Sequence, residues 1–446
     1  MKQLKGKTIM LIISAIFLAT FVLLAYFCGS FGLLQKVGKG NKEDFIKSAT
    51  ALTEKYMKIY GIPGVSVVVI DEGQAVYSQN FGYADKEEGR PLDDDTLMRT
   101  QSMTKTVTAY AVIQLVNQGN LDLDKPVYQY FSTWQFPQSK YDYKLITARN
   151  LLNHTSGLPL GDVFTIYGPK EPKPSLREKL TNECVLIYEP GKKHSYSNTG
   201  YNLLELLIEE VTGMAYADYI KQSIFEPLNM TDSTMILSDE QISKTATGYG
   251  LAGEKTPAYV FPELGSGGMF STAADYSKFL IHAMDEWKNG MKQQIITTQD
   301  RVGIYDLVFD GYAAGLFTED LKEVKAVTHG GQGTGIMTHF HAVPENNDAI
   351  VILTNSQKSW PYIARMVKLW TDYNGYSPSG MTRIIYGQYI MSALIGIMLA
   401  LAVFVVIKAF SPTAPINLTG KILFGAAGTA LIAVGLIGLI KKYSFI

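Results

Sequence analysis

Hydrophobic and polar positions divide this chain into stretches of different character. Thr8–Phe27 is almost continuously apolar, no charge occurs from Thr8 to Gln35, and Lys2, Lys5 and Lys7 precede the run. Two further uncharged runs cover Ile384–Ile407 and Ile422–Ile440. Each is about as long as the ~20 residues that cross a bilayer as a helix, so each predicts a membrane span rather than a buried core helix. Between them, Phe45, Ile46, Ala49, Leu52 and Tyr56 recur at helical spacing and predict a helix over Glu43–Tyr60. Gly64–Ile70 is rich in β-branched residues, and Ala75–Tyr83 follows across Asp71-Glu72-Gly73, which predicts a hairpin. Ser102–Val116 reads as a helix closed by Asn117, Gly119 and Asn120. Helical stretches such as Tyr201–Val211 and Gly- and Pro-containing loops fill the middle of the chain. Strand character returns in Ala326–Thr328, Thr338–Ala342 and Ala349–Thr354, and Trp360–Tyr373 predicts a closing helix. Early and late strands that bracket a helical middle predict one sheet, and so an α/β (α+β) fold.

Composition adds location more than chemistry. Across 446 residues the formal net charge is -1, with 40 Lys+Arg against 41 Asp+Glu, so no basic footprint for nucleic acid exists. The two cysteines are Cys28, inside an apolar stretch, and Cys184, which excludes an internal disulfide and a paired-cysteine zinc site from the rest of the chain. The first apolar run exceeds the ~7–15 residues of an ordinary signal core, which favours an uncleaved anchor over a signal peptide. Basic residues stay on the cytoplasmic side. The expectation is therefore a segment 1–35 that anchors or exports, an extracytoplasmic domain over 36–380, and a C-terminal membrane region over 381–446 with two transmembrane helices. Lys441 and Lys442 then end outside, against the usual charge bias. Partners implied at this level are the lipid bilayer and a membrane protein held through the C-terminal helices.

The chemistry begins with Ser102 and Lys105. Residues three apart on a helix are neighbours, so the Lys105 amine can reach the Ser102 hydroxyl. A serine needs such a base to become a nucleophile, and burial near positive charge can lower a lysine far enough to serve. Taken alone, the pair also fits an exposed helix face. Two further motifs follow, Tyr196-Ser197-Asn198 and His329-Gly330-Gly331, and each of the three spacings occurs once in the chain. Other patterns carry less. Gly330–Gly335 has neither a G-x-G-x-x-G nor a Walker lysine, and G-x-S-x-G is absent. His339 and His341 share a strand face and conceivably hold a metal, while His154 and His194 read as structural.

These three motifs, in this order, resemble the serine penicillin-binding protein and class C β-lactamase superfamily with its S-x-x-K, Y-x-N and K/H-x-G elements. Leu151–Leu158, Glu189-Pro190-Gly191 and Gly267–Asp275 are similar to family text as well, and the likeness spans about residues 42–375. The resemblance implies a β-lactamase/DD-peptidase-like fold, with an antiparallel sheet flanked by N- and C-terminal helices and a mostly helical subdomain. It implies Ser102 as acylated nucleophile, Lys105 as its proton acceptor, and Tyr196 as a phenolate sharing the base and protonating the leaving group. It also implies Asn198, His329, Gly330, Gly331 and Gln332 on the substrate and oxyanion side, with backbone N–H groups of Ser102 and Gln332 forming the oxyanion hole. The glycines would let a strand edge approach substrate closely. No metal and no cofactor are implied. The expected function is a membrane-anchored extracytoplasmic serine hydrolase acting on D-amino-acid peptides, as carboxypeptidase, aminopeptidase or prodrug-activating peptidase. Esterase or β-lactamase action, or a non-enzymatic penicillin-binding sensor, are the alternatives.

Overall fold

The computed structural model describes residues 39–293, 312–322 and 324–409. The apolar runs Thr8–Phe27 and Ile422–Ile440, and Cys28, lie outside the described residues. The chain forms two compact units, one of residues 62–357 and one of the segments up to Gly61 and from Lys358 onward.

The larger unit is built on an eight-stranded antiparallel sheet in the order β3-β2-β1-β10-β9-β8-β7-β6. Its strands are β1 (Gly64–Asp71), β2 (Gln74–Asp85), β3 (Arg90–Pro91), β6 (Tyr312–Ala313), β7 (Leu316–Asp320), β8 (Lys325–Gly333), β9 (Ile336–Val343) and β10 (Asp348–Thr354). A second, two-stranded sheet pairs β4 (Met98–Arg99) with β5 (Phe270–Ser271). The expected hairpin is present: Glu72 and Gly73 take positive φ, which lets β1 turn directly into β2. The expected joining of early and late strands is also present, through β1 against β10. β9 and β10 are buried along their whole length, which is why their sequences run apolar rather than alternating.

Between β5 and β6 the Ala273–Gln293 helix packs on β1 and β10. Sequence periodicity had singled out no helix there. The mostly helical subdomain comprises Ala148–Leu152, Leu176–Glu183, Asn198–Thr212 and Tyr216–Ile220. Leu151, Leu180, Leu203, Leu204 and Leu207 share the core of this unit with Val107 and Leu115 from the Thr104–Asn117 helix.

The smaller unit contains the Lys42–Tyr60, Trp360–Asn374 and Thr382–Ala409 helices, the first two matching their sequence expectations within a residue. Thr53 and Tyr362 share a buried hydroxyl contact of 3.1 Å, and Arg365 donates to Gln388 at 2.9 Å. The run Ile384–Ile407 lies in the 28-residue Thr382–Ala409 helix. Among the fully described residues, no helix is long and apolar enough to cross a membrane.

Asn355 follows β10 and ties the sheet together from inside. Its Oδ1 accepts from Gly64 N–H at 2.7 Å and its Nδ2 donates to the Tyr83 carbonyl at 3.0 Å. Gly64 has no room for a side chain there, since an added Cβ would lie 2.4 Å from the Tyr83 carbonyl. Asn355→Ala strands buried polar groups on two strands at about 1–3 kcal/mol. We expect a thermal midpoint several degrees lower; an unchanged melt contradicts this.

Candidate active site

Ser102 is placed by a strained turn. The expected helix begins two residues later, at Thr104, and Gln101–Met103 forms a 3-10 turn ahead of it. Gln101 holds φ at 52°, in the left-handed region that a side chain disfavours. Its amide donates to the Tyr259 hydroxyl at 2.7 Å, and its side chain packs where Gly333 leaves space. The turn abuts β8 at Gly331, where a Cβ would come within 2.2 Å of Thr338 Oγ1 and 2.4 Å of the Thr100 carbonyl. Gly331 is therefore required by the packing of the sheet against the serine turn, a constraint separate from its expected role of admitting substrate.

Lys105 is fully buried, and its Nζ lies 3.2 Å from Ser102 Oγ, 2.8 Å from Asn198 Oδ1 and 2.7 Å from the Ser266 carbonyl. Burial holds its pKa well below the ordinary lysine value. A neutral amine has two protons and one lone pair. Asn198 Oδ1 and the Ser266 carbonyl can only accept, so they take both protons, and the lone pair is left for the Ser102 hydroxyl.

Tyr196 hydrogen-bonds Ser102, and its ring lies 4.9 Å from Lys105 Nζ. Burial pushes its hydroxyl upward, only partly offset by the Ser102 bond. Burial thus opposes the phenolate expected from the sequence.

Two neighbours without an assigned role in the sequence reading set this geometry. His154 is buried, its Nδ1 accepts from Ser197 N–H at 3.1 Å, and its ring centroid is 4.3 Å from that of Tyr196. Burial first, and Lys105 next, keep it well below the usual imidazole range and hence neutral, as an acceptor requires. Ser197 then caps the Asn198–Thr212 helix through Gly200 N–H at 2.9 Å, fixing Asn198 toward Lys105. Glu205, on the same helix, accepts from both Leu264 and Gly265 N–H at 2.7 Å. Those bonds hold the loop whose next carbonyl, Ser266, meets Lys105. Burial pushes Glu205 up to about 8, against the opposing pull of its two N–H donors. The sequence signal for Glu205 was the helical repeat, which marks burial but not function, while His154 lay within Leu151–Leu158 and read as structural.

The third motif is divided. β7 pairs with β8 only over Lys325–Thr328, whereas β9 pairs with β8 as far as Gly333, so past Thr328 one edge of β8 has no strand partner among the described residues. Gln332, Gly333 and Thr334 line a cleft of about 560 Å³ open to solvent, together with Ser102, Asn198 and Ser266. His329, Gly330 and Gly331 are not among its lining. His329 Nδ1 is 2.8 Å from the Gly330 carbonyl, and its ring sits 5.3 Å from Phe317 and 6.3 Å from Tyr196. Burial and then Lys105 bring it down to about 3, so it is neutral. His339 Nε2 is 3.2 Å from Thr328 Oγ1 and His341 Nε2 is 3.4 Å from Glu319. Among the described residues no group of His, Cys, Asp or Glu is placed to hold a metal ion.

The family model described as Beta-lactamase matches residues 49–368. The chain belongs to the beta-lactamase family. It is a serine hydrolase with the family's α/β architecture. Penicillin-binding protein 4* of Bacillus subtilis is 29% identical over 326 residues, covering 68% of this chain and 70% of that protein. Protein flp of Staphylococcus aureus is 28% identical, and the match spans 69% of this chain but only 62% of flp. Among solved structures, the octameric penicillin-binding protein homologue from Pyrococcus abyssi superposes with TM-score 0.64 at 26% identity, over 78% of this chain and 81% of that one. The D-amino acid amidase from Ochrobactrum anthropi gives TM-score 0.60 at 25% identity, over 73% and 98%.

Lys105 and its support can each be tested. Acylation of Ser102 by an activated ester should rise with pH as Lys105 loses its proton and level off well below pH 10; a midpoint near the ordinary lysine value contradicts a neutral amine. Lys105→Arg, which cannot deprotonate, should slow it about 100- to 10,000-fold. Glu205→Gln keeps an acceptor for the two N–H groups and Glu205→Ala does not, so Ala alone should lose about ten-fold or more. Stability carries a signature of its own. Between the unfolded value of 4.5 and about 8, the folded protein keeps a proton on Glu205 that the unfolded chain has released, so stability falls as pH rises through that window. Glu205→Gln should flatten that fall in denaturant titrations.

Proposed function

We propose that this protein is a membrane-anchored serine peptidase or amidase, working outside the cytoplasmic membrane on substrates that contain D-amino acids. The observation that carries the reading is the Lys105 amine shared among Ser102 Oγ, Asn198 Oδ1 and the Ser266 carbonyl. In the mechanism, Lys105 takes the Ser102 proton as Oγ bonds the substrate carbonyl carbon. The oxyanion is held by the backbone N–H groups of Ser102 and Gln332, each such donor being worth about 100- to 1000-fold in rate. The C–N bond then breaks, Tyr196 hands its phenolic proton to the departing amine, and Tyr196 is reprotonated from Lys105. Water attacks the acyl ester, releasing a carboxylic acid and restoring Ser102. Asn198 orients substrate and lysine together, and the edge of β8 at Gln332, which has no strand partner among the described residues, lies along the cleft. His329, without charge, steadies the Tyr196 side of the site.

The D-amino-acid assignment draws on the family and on the amidase structure from Ochrobactrum anthropi. The membrane assignment draws on the sequence of the three apolar runs. It is supported by the Thr382–Ala409 helix, where Tyr386, Ile390, Leu394, Ile397, Leu401 and Phe404 are exposed at helical spacing. A stripe of that kind suits contact with lipid or with a partner's membrane helix. The domain order is then anchor or signal over 1–35, hydrolase over 36–380 and membrane region over 381–446.

Incubating the full chain with labelled penicillin and a panel of D-peptides and esters tests the chemistry. A stable adduct lost in Ser102→Ala, with D-peptide turnover, is the expected result; rapid penicillin turnover makes it a β-lactamase instead. Unchanged hydrolysis by Ser102→Ala overturns the mechanism. Alkaline carbonate washing of isolated membranes should leave the full chain in the pellet, and release into the supernatant overturns the anchor.

A further inference from the structure

The cleft beside Ser102 has a charge character of its own. Three of its lining residues are carboxylates, Asp162, Glu183 and Glu263, and among the described lining residues there is no lysine, arginine or histidine. Behind the wall a single ammonium serves all three: Lys179 Nζ lies 2.7 Å from Glu183, 3.5 Å from Asp162 and 4.0 Å from Glu263 Oε1. Asp162 also accepts Phe164 and Thr165 N–H at 2.9 and 3.0 Å, and Glu183 accepts the Thr199 hydroxyl at 3.2 Å.

Glu263 differs from its neighbours. Only 6% of it is exposed, and its Oε2 is buried without a hydrogen-bond partner. Burial drives its pKa up to about 7, with Lys179 opposing and the other two carboxylates adding to the rise. A buried carboxylate oxygen left unpaired is a costly arrangement, and Glu263 belongs to the lining of the cavity that also contains the nucleophile. Glu263 is joined through Leu264 and Gly265 to Ser266, whose carbonyl holds Lys105, so its backbone is fixed relative to the reacting atoms. Val163, Ile166 and Phe261 add apolar surface to the lining.

We propose that Glu263, with Asp162 and Glu183, forms a subsite for a primary ammonium group on the acyl portion of the substrate, resting on the acyl-enzyme reading of Ser102. Such a site selects amides and peptides whose acylating residue carries a free amino group. It disfavours substrates whose carboxylate must enter the same wall, because like charges repel there and no basic residue lines the wall to offset them. The chemistry is that of an aminopeptidase or amino-acid amidase more than of a carboxypeptidase.

The test is a matched pair, D-alanine p-nitroanilide and its N-acetyl derivative, offered at pH 7 to the full chain with p-nitrophenyl acetate as a neutral ester. The expected result is at least a ten-fold higher kcat/KM for the free amine. Glu263→Gln, checked for folding by its melt, should shrink that ratio about ten-fold. Equal turnover of the pair by the wild-type chain, or preference for the acetylated compound, overturns the subsite, and this comparison needs no variant. A folded Glu263→Gln protein that keeps the wild-type ratio overturns it too. If none of the three compounds is hydrolysed, and Ser102 is not modified by the ester, the acyl-enzyme reading fails and the subsite fails with it.

Discussion

An amine withdrawn completely from water must be paid for by its surroundings, and much of this protein is arranged around doing so for Lys105. Desolvating an ammonium costs several kcal/mol even after relaxation, so the group gives up its proton more readily than a solvated lysine. Its two remaining hydrogens are directed at Asn198 and Ser266, and only the serine is left for its lone pair. Each acceptor has its own fixture. Asn198 is held by the Ser197 cap, which leans on His154, and Ser266 is held by the loop that Glu205 grips. The basicity of one side chain thus depends on residues scattered across the helical subdomain and the loop before β5.

The fixtures are themselves neutral or nearly so. His154 and His329 are both kept uncharged chiefly by burial, and burial favours the protonated form of Tyr196 as well. A charged imidazole beside Lys105 would lower the lysine further, and a charged phenol would raise it. An uncharged surround leaves burial as the controlling influence, which makes the site insensitive to ionic strength compared with one built on exposed ion pairs. The contrast with the carboxylate-lined wall of the cleft is spatial: charge is placed where substrate enters and excluded where the proton moves.

Ser102, Lys105, Tyr196 and Asn198 were legible in the sequence because their roles depend on spacing along one helix or one turn. So were the β1–β2 hairpin and the helices at either end of the domain, whose patterns are local. What stayed hidden depends on contact through space. Gln101 reads as an ordinary polar residue until its backbone is seen at 52°, and Glu205 reads as one more charge in a helix that turns out to be buried. The packing of Gly331 against the serine turn stayed hidden for the same reason, since a glycine's use lies in what approaches it. The short β6 and β7 were missed because strands of two and five residues carry too little pattern.

The fit of Gly331 against Thr100 and Gln101 has a bearing on how the chain folds. Successive residues of a strand face opposite ways, so a slip of one residue between β8 and β9 would turn Gln332 or Gly330 toward the serine turn in place of Gly331. Gln332 carries a side chain where even a Cβ would sit 2.2 Å from Thr338 Oγ1. A chain slipped so as to present Gln332 could not close the turn onto the sheet. The contact therefore acts as a steric check on that slip, tying the place of the nucleophile to the alignment of the distant C-terminal strands.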